Sequence, residues 1–329
     1  MRKWLLRGVL ALVAVLVIAF LIFRTPDTDP AEMRAKYGGP PSQFVEIGNG
    51  VKVHLRDEGP RDAPAIMLLH GSNADLHTWG PWVQALKAKY RVIRFDQIGH
   101  GLTGPDPKED YSTANHVADI GEVADRLGLA QFIIGGNSMG AKHALAFAIA
   151  QPERVSGLVL VDGSGGPMLK IPRLEKDKNE SGNIGFTIAR MPGVNLIAEQ
   201  ITPRSLIQQS LEQSVSVKSV ASEAAVDRYW ELLRYPGNRR ATLARFGQPY
   251  DPLPEDRIAA VKVPTLILWG EEDRIIPVEA GQWLARTLPD NTLRIYPGFG
   301  HLPHEEAAEA TLADLEAWLA GHAIAPKQQ

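Results

Sequence analysis

The chain opens on an almost unbroken apolar run from Trp4 to Phe23, interrupted only by Arg7. Coiled as a helix, such a run reaches roughly 30 Å, the thickness of a bilayer's hydrocarbon core, and so predicts a transmembrane anchor. Arg24, Thr25, Pro26 and Asp27 follow without a small-x-small cleavage pattern, which favours an anchor over a signal peptide. Residues Thr25 to Pro41, rich in proline and mixed in charge, predict a tether. F-V-E-I, Asn49-Gly50 and V-K-V-H-L then predict a hairpin closed by a two-residue turn.

After the hairpin the pattern changes to continuous apolar runs separated by helical periodicity. The runs are Ala65 to Leu69, Val92 to Phe95, Phe132 to Ile134, Leu158 to Val161, Thr265 to Trp269 and Leu293 to Tyr296. Strands with one wet face would alternate; these do not, so they predict a parallel sheet covered on both faces. Ala114 to Leu127, Ala141 to Ala150 and Val278 to Leu288 supply crossover helices. Between Gly163 and Val263 no comparable strand run occurs. Segments such as T-P-R-S-L-I-Q-Q-S-L predict a helical lid there, with Thr202 capping a helix whose first turn Pro203 opens. The predicted organisation is an anchor over 1–24, a tether over 25–41, a core over 42–163 and 259–322 interrupted by a lid over 164–258, and a tail over 323–329.

Composition narrows the function. Of 329 residues 44% are hydrophobic and 22% charged, enough to bury a core and to exclude disorder. A formal net charge of −3 offers no basic field, so no nucleic-acid partner is expected. The absence of cysteine removes disulfides, thiolate metal sites and a cysteine nucleophile. No grouping has metal-ligand spacing and no phosphate or dinucleotide fingerprint occurs, so neither metal nor cofactor is expected. Arg2, Lys3 and Arg7 outweigh Arg24 with Asp27 and Asp29 beyond it, which places the N-terminus in the cytoplasm and the rest outside, the periplasm in a Gram-negative bacterium. Sequence gives no oligomeric state.

Gly136-Asn137-Ser138-Met139-Gly140 follows a predicted strand and opens a predicted helix, the context of a strained nucleophile elbow that lifts Ser138 into a site. A serine hydroxyl needs a base and an orienting acid, in the chain order Ser, Asp or Glu, His on this kind of sheet. Asp273, after the strand ending at Trp269, and His301, after the last strand, meet that order at the carboxyl edge where open sheets bind ligands. Glu271, Glu272 and Asp162, the last at the end of an earlier strand, are also placed to reach a histidine, and of these Asp162 is the main competitor. Developing oxyanion charge needs amide donors; Met139 supplies one and Ser72, in His70-Gly71-Ser72-Asn73, the other, with Asn73 the near alternative.

Leu69 to Ser72, Asp96 to Gly101, Gly136 to Gly140, Gly270 to Asp273 and Gly300-His301 together resemble the α/β-hydrolase superfamily over Phe44 to Ala320. The resemblance implies Ser138 as nucleophile, His301 as base, Asp273 as its orienter and the insertion as a cap over the pocket. Asp96 to Gly101 would be a structural turn, so His100 is given no catalytic part. Haloalkane dehalogenases and epoxide hydrolases of this fold use an aspartate where this chain has Ser138. G-N-S-M-G and H-G-S are similar to the meta-cleavage-product hydrolases, which split carbon–carbon bonds, but those carry Trp where this chain has Leu302. The expected function is therefore a membrane-tethered serine hydrolase of small apolar or amphiphilic esters, with carbon–carbon hydrolysis and a non-catalytic binding module as alternatives. His54 is read as an exposed face of the hairpin, and Lys142 and His143 as packing or solvent residues. His77 and His304 are placed in loops near the pocket. Phe186, Met191, Leu196, Tyr229 and Trp230 are taken as the lid's own core, some of them walling an apolar pocket.

Overall fold

The computed structural model describes residues 2–167, 191 and 199–322. Eight strands form one sheet: β1 (Ser42–Glu46), β2 (Lys52–Glu58), β3 (Ala65–Leu69), β4 (Arg91–Phe95), β5 (Phe132–Asn137), β6 (Val155–Val161), β7 (Thr265–Gly270) and β8 (Asn291–Tyr296). Their order is β1-β2-β4-β3-β5-β6-β7-β8, with β2 antiparallel to both neighbours and every pairing from β4 onward parallel. The unbroken apolar runs are explained by what lies on each face. In β3, Met67 and Leu69 join one core cluster with the helices Thr113–Arg126, Met139–Ala150 and Val278–Thr287. Ile66 and Leu68 join a second with Gly80–Leu86 and Ala308–Gly321 on the opposite face. Both sides of the strand are dry, so neither can be polar.

The insertion contributes helices Arg204–Ser214, Glu223–Leu233 and Asn238–Gly247, which lie over the carboxyl edge of the sheet. Leu211, Val215, Ala225 and Val226 pack together around Leu302 of the core. The following helix, Glu255–Ala259, belongs to the sheet domain through Ile258. Thr202 does not cap the first of these helices: Pro203 occupies the N-cap position, and Thr202 is buried beside Thr25 and Arg239. Phe186 and Leu196 lie outside the described residues, and Met191 is exposed.

At the N-terminus Arg2–Phe23 is a helix whose stretch Leu6–Phe23, of mean hydropathy 2.8, has no buried residue among those described. It is long and apolar enough to cross a membrane, as a span or as a signal sequence. The residues expected as a tether are instead docked on the insertion. Thr25 N donates to Gln200 O at 2.9 Å, Thr28 N to Arg234 O at 3.0 Å, and the buried Arg239 to Thr25 O at 2.7 Å and Asp27 Oδ1 at 2.6 Å. A helix, Pro30–Tyr37, follows, its first amides capped by Asp29, and Met33 packs against Leu102, Leu232 and Tyr235. A single buried residue in a short polar helix leaves no period to read, which is why this docking is silent in the sequence. The hairpin turn is also wider than two residues: Gly48–Gly50 forms a short helical turn closed by Ile47 N to Val51 O at 2.9 Å.

Candidate active site

The chain must turn sharply where β5 hands over to the helix Met139–Ala150, and Ser138 takes the strain, at φ +54° and ψ −116°. Side chains on either flank would block the turn. A Cβ on Gly136 would lie 2.3 Å from the Gly140 carbonyl carbon, and one on Gly140 would lie 2.3 Å from Leu69 O. Asn137 fixes the elbow to the loop that carries His301, its side-chain amide donating to Val161 O at 3.2 Å and to His301 O at 3.1 Å.

His301 and Asp273, separated by 28 residues, come together from the loops after β8 and β7. His301 Nδ1 lies 2.7 Å from Asp273 Oδ2. Asp273 Oδ1 accepts from the amides of Ile275 at 2.7 Å and Ile276 at 3.0 Å, which fix the carboxyl plane against the imidazole. Asp162 is the neighbour of this pair: donor atoms of Asp162, Asp273 and His301 lie within 4.8 Å of one another, all buried. Its Oδ1 accepts from Gly270 N at 3.0 Å, and its buried carboxyl faces that of Asp273. Burial, then the Asp273 carboxylate alongside, pushes the Asp162 carboxyl well above its ordinary range. The same proximity of oxygen and nitrogen donors could hold a metal ion, although the His301–Asp273 bond already pairs two of the three groups.

Ser72 and Met139 meet across the site, the Ser72 hydroxyl lying 3.4 Å from Met139 Sδ. Met139 begins its helix, where the first amides lack intrahelical acceptors. Asn73 sits at φ +60° and its side chain is engaged by the Thr242 hydroxyl at 3.1 Å. Ser72, Asn73, Ser138 and His301 all border one open cavity, roofed by Ile207, Leu211, Tyr229 and Leu233 of the insertion and flanked by Ile275 and Leu302. Among the described residues no hydrogen bond joins Ser138 Oγ to His301. Such bonds are often long in ligand-free sites and tighten on binding.

The remaining histidines sort by burial. His54 is not exposed: β2 lies between β1 and β4, and its imidazole is sealed between Asp96 Oδ2 at 2.7 Å and Ser42 Oγ at 2.8 Å. His143 packs, stacked on His116 with centroids 4.2 Å apart. His304 is buried against Trp79 and Thr78, and burial followed by His301 pulls it down to about 3. His77 pairs with Asp75 at 2.6 Å. Trp230 donates to Thr202 O at 2.7 Å, whereas Tyr229 borders the cavity.

Three charged residues near the site escaped sequence reasoning, because their partners are distant in the chain. Arg228 of the insertion pairs with buried Asp75 at 3.0 Å; burial alone would raise the Asp75 carboxyl, but Arg228 and His77 hold it well below its ordinary range. Arg245 reaches Met139 Sδ at 3.0 Å, its Nε unpartnered, and burial pulls its guanidinium down to about 10 with no carboxylate among the described residues to offset it. Glu306 accepts amides from the His301 loop and from the insertion at once.

A model of the alpha/beta hydrolase family matches residues 66–315. A 2-hydroxy-6-oxononadienedioate/2-hydroxy-6-oxononatrienedioate hydrolase of Comamonas testosteroni is 29% identical over 82% of this chain and 93% of its own. A thermophilic esterase from Thermogutta terrifontis superposes with a TM-score of 0.68, 25% identity, and coverage of 85% of this chain and 99% of that one. A membrane phospholipase A superposes with a TM-score of 0.66 and 24% identity over 98% of this chain and 99% of that one, a match that includes the N-terminal helix.

Proposed function

The chain belongs to the alpha/beta hydrolase family and is a hydrolase, and from that premise we propose that it is a membrane-tethered serine hydrolase of carboxylic esters with an apolar or amphiphilic acyl part. One observation carries the reading: the strained Ser138 elbow opens, together with His301, onto a cavity in which Ile207, Leu211, Leu233, Ile275 and Leu302 form an apolar wall beside Ser210, Ser214 and Tyr229. An acyl chain is what such walls accept.

In the proposed reaction Ser138 Oγ attacks the ester carbonyl carbon while His301 Nε2 takes its proton. Asp273, bound to Nδ1, enforces that tautomer and offsets the imidazolium charge. The amides of Met139 and Ser72 receive the oxyanion. Collapse breaks the carbon–oxygen bond to the alcohol, which takes the proton from His301. Water, deprotonated by the same nitrogen, then attacks the acyl-enzyme and releases the acid and Ser138. The helix Arg2–Phe23 anchors the protein, with Arg2, Lys3 and Arg7 at its start toward the cytoplasm and the hydrolase outside.

A carbon–carbon hydrolase is the second reading. The uncompensated Arg245 beside the oxyanion loop favours it, since a substrate carboxylate would offset that charge, as does the printed activity of the Comamonas relative. A panel of p-nitrophenyl esters run beside a 2-hydroxy-6-oxodienoate decides between them. Turnover of esters with loss on Ser138→Ala supports ester hydrolysis; turnover of the dienoate at a higher kcat/KM supports the second.

A further inference from the structure

The loop bearing His301 is bonded to the insertion as firmly as to its own domain. His301 N donates to Ser214 O at 2.8 Å. Glu306, one turn beyond, divides its carboxylate between the two sides. Its Oε1 accepts from Gly300 N at 3.0 Å and Leu302 N at 3.2 Å, the residues flanking His301. Its Oε2 accepts from Ser216 N at 2.7 Å and Val217 N at 2.9 Å, just past the helix Arg204–Ser214 that roofs the cavity. The approach is close enough to exclude a side chain, for a Cβ on Gly300 would stand 2.8 Å from Ser214 O and 2.9 Å from Ser216 N. Charge-assisted bonds to backbone amides are the stronger class, and one oxygen cannot be lost without stranding the amides that it serves.

We propose that Glu306 is a positioning residue that couples the insertion to the catalytic histidine, so that the residues roofing the pocket set where His301 stands relative to Ser138. This rests on the triad reading above. A roof that merely covered the pocket would influence which acyl chain binds; a roof bonded to the His301 loop also influences the rate at which the serine is activated. Ile207, Ser210, Leu211 and Ser214 border the cavity on the segment that ends in this clamp, so a ligand pressing on them acts on the same connection.

The test uses the full chain in detergent and the second-order rate of labelling by diisopropyl fluorophosphate, too small to need the roof for binding. Glu306→Gln replaces one carboxylate oxygen by an amide donor, leaving either the loop or the roof facing N–H against N–H. Labelling should slow by about 10- to 100-fold, with kcat on p-nitrophenyl acetate falling alike and KM little changed. Val217→Pro removes a donor on the roof side only, at a residue whose φ of −85° is close to what proline imposes. Here labelling should slow by about 3- to 10-fold. Both variants are compared at matched folding, judged by unfolding midpoint. If Val217→Pro labels at the wild-type rate, the roof does not reach the histidine and the coupling is overturned, even where Glu306→Gln is slow or unfolded. Should the wild-type chain itself resist labelling, the triad reading fails, and the coupling with it.

Discussion

Replacing Asp273 by asparagine should cripple turnover through the tautomer of His301, and the structure dictates which way the amide will face. Asp273 Oδ1 accepts two amides, Ile275 N at 2.7 Å and Ile276 N at 3.0 Å, so an asparagine must keep its oxygen there. Its NH2 then occupies the place of Oδ2, 2.7 Å from His301 Nδ1, and donates to that nitrogen. Nδ1 becomes an acceptor, the proton moves to Nε2, and His301 can no longer take the Ser138 proton. A barrier increase of about 3 to 5 kcal/mol follows, or a fall in kcat on the order of 10² to 10⁴ with KM little changed. Asp162→Asn is the matched control. Its oxygen stays on Gly270 N and its NH2 takes the place of a carboxyl oxygen that burial already biases toward the protonated form, so kcat should fall less than about tenfold. Initial rates on p-nitrophenyl butyrate, with unfolding midpoints for both variants, measure the effect. If Asp162→Asn proves the more damaging of two folded variants, the assignment of the orienting acid is wrong.

Truncation separates anchor from docked segment. Removal of residues 1–24 should give a soluble enzyme with kcat within about a factor of three, whereas removal of 1–41 strips Arg239 of Thr25 and Asp27 and should cost about 3 to 5 kcal/mol, read as a lower unfolding midpoint. Acid should destabilise the fold. His70, His100, His116, His143 and His304 are buried and, chiefly through that burial, held below their ordinary value, His116 and His304 at about 3, so the unfolded chain binds more protons below pH 6.5. Stability is complete above that pH and falls toward pH 4 by up to roughly 1.4 kcal/mol per pH unit for each histidine, measurable by urea titration. Asp119 works in the other direction: burial raises its carboxyl to about 7, so its ionisation costs stability as pH rises from about 4 to 7. Asp119→Asn should therefore raise the midpoint at pH 8 and barely change it at pH 4, and an equal gain at both would refute the burial argument.

The sheet was legible because its strands are dry on both faces, and a strand such as Ala65–Leu69 then needs no polar position at all. Glycine spacing made the elbow legible, since Gly136 and Gly140 admit no side chain. Strand ends and chain order pointed to Asp273 and His301, but the choice between Asp273 and Asp162 depended on distances that no spacing encodes. The hairpin misled. Alternation put His54 outside, although β2 is an inner strand and the Asp96 turn folds over it. Glu306, Arg228 and the docked Thr25–Thr28 segment were invisible for a common reason: each acts on backbone groups or charges 90 to 214 residues away, and one sequence carries no mark of such a pairing.

The central claim is that Ser138 is the nucleophile, and intact-mass analysis after fluorophosphonate treatment tests it most directly. The account predicts one adduct per chain, mapped to the peptide containing Ser138, and neither adduct nor ester turnover in a folded Ser138→Ala variant. Equal labelling of that variant, or an adduct on another residue, would contradict it.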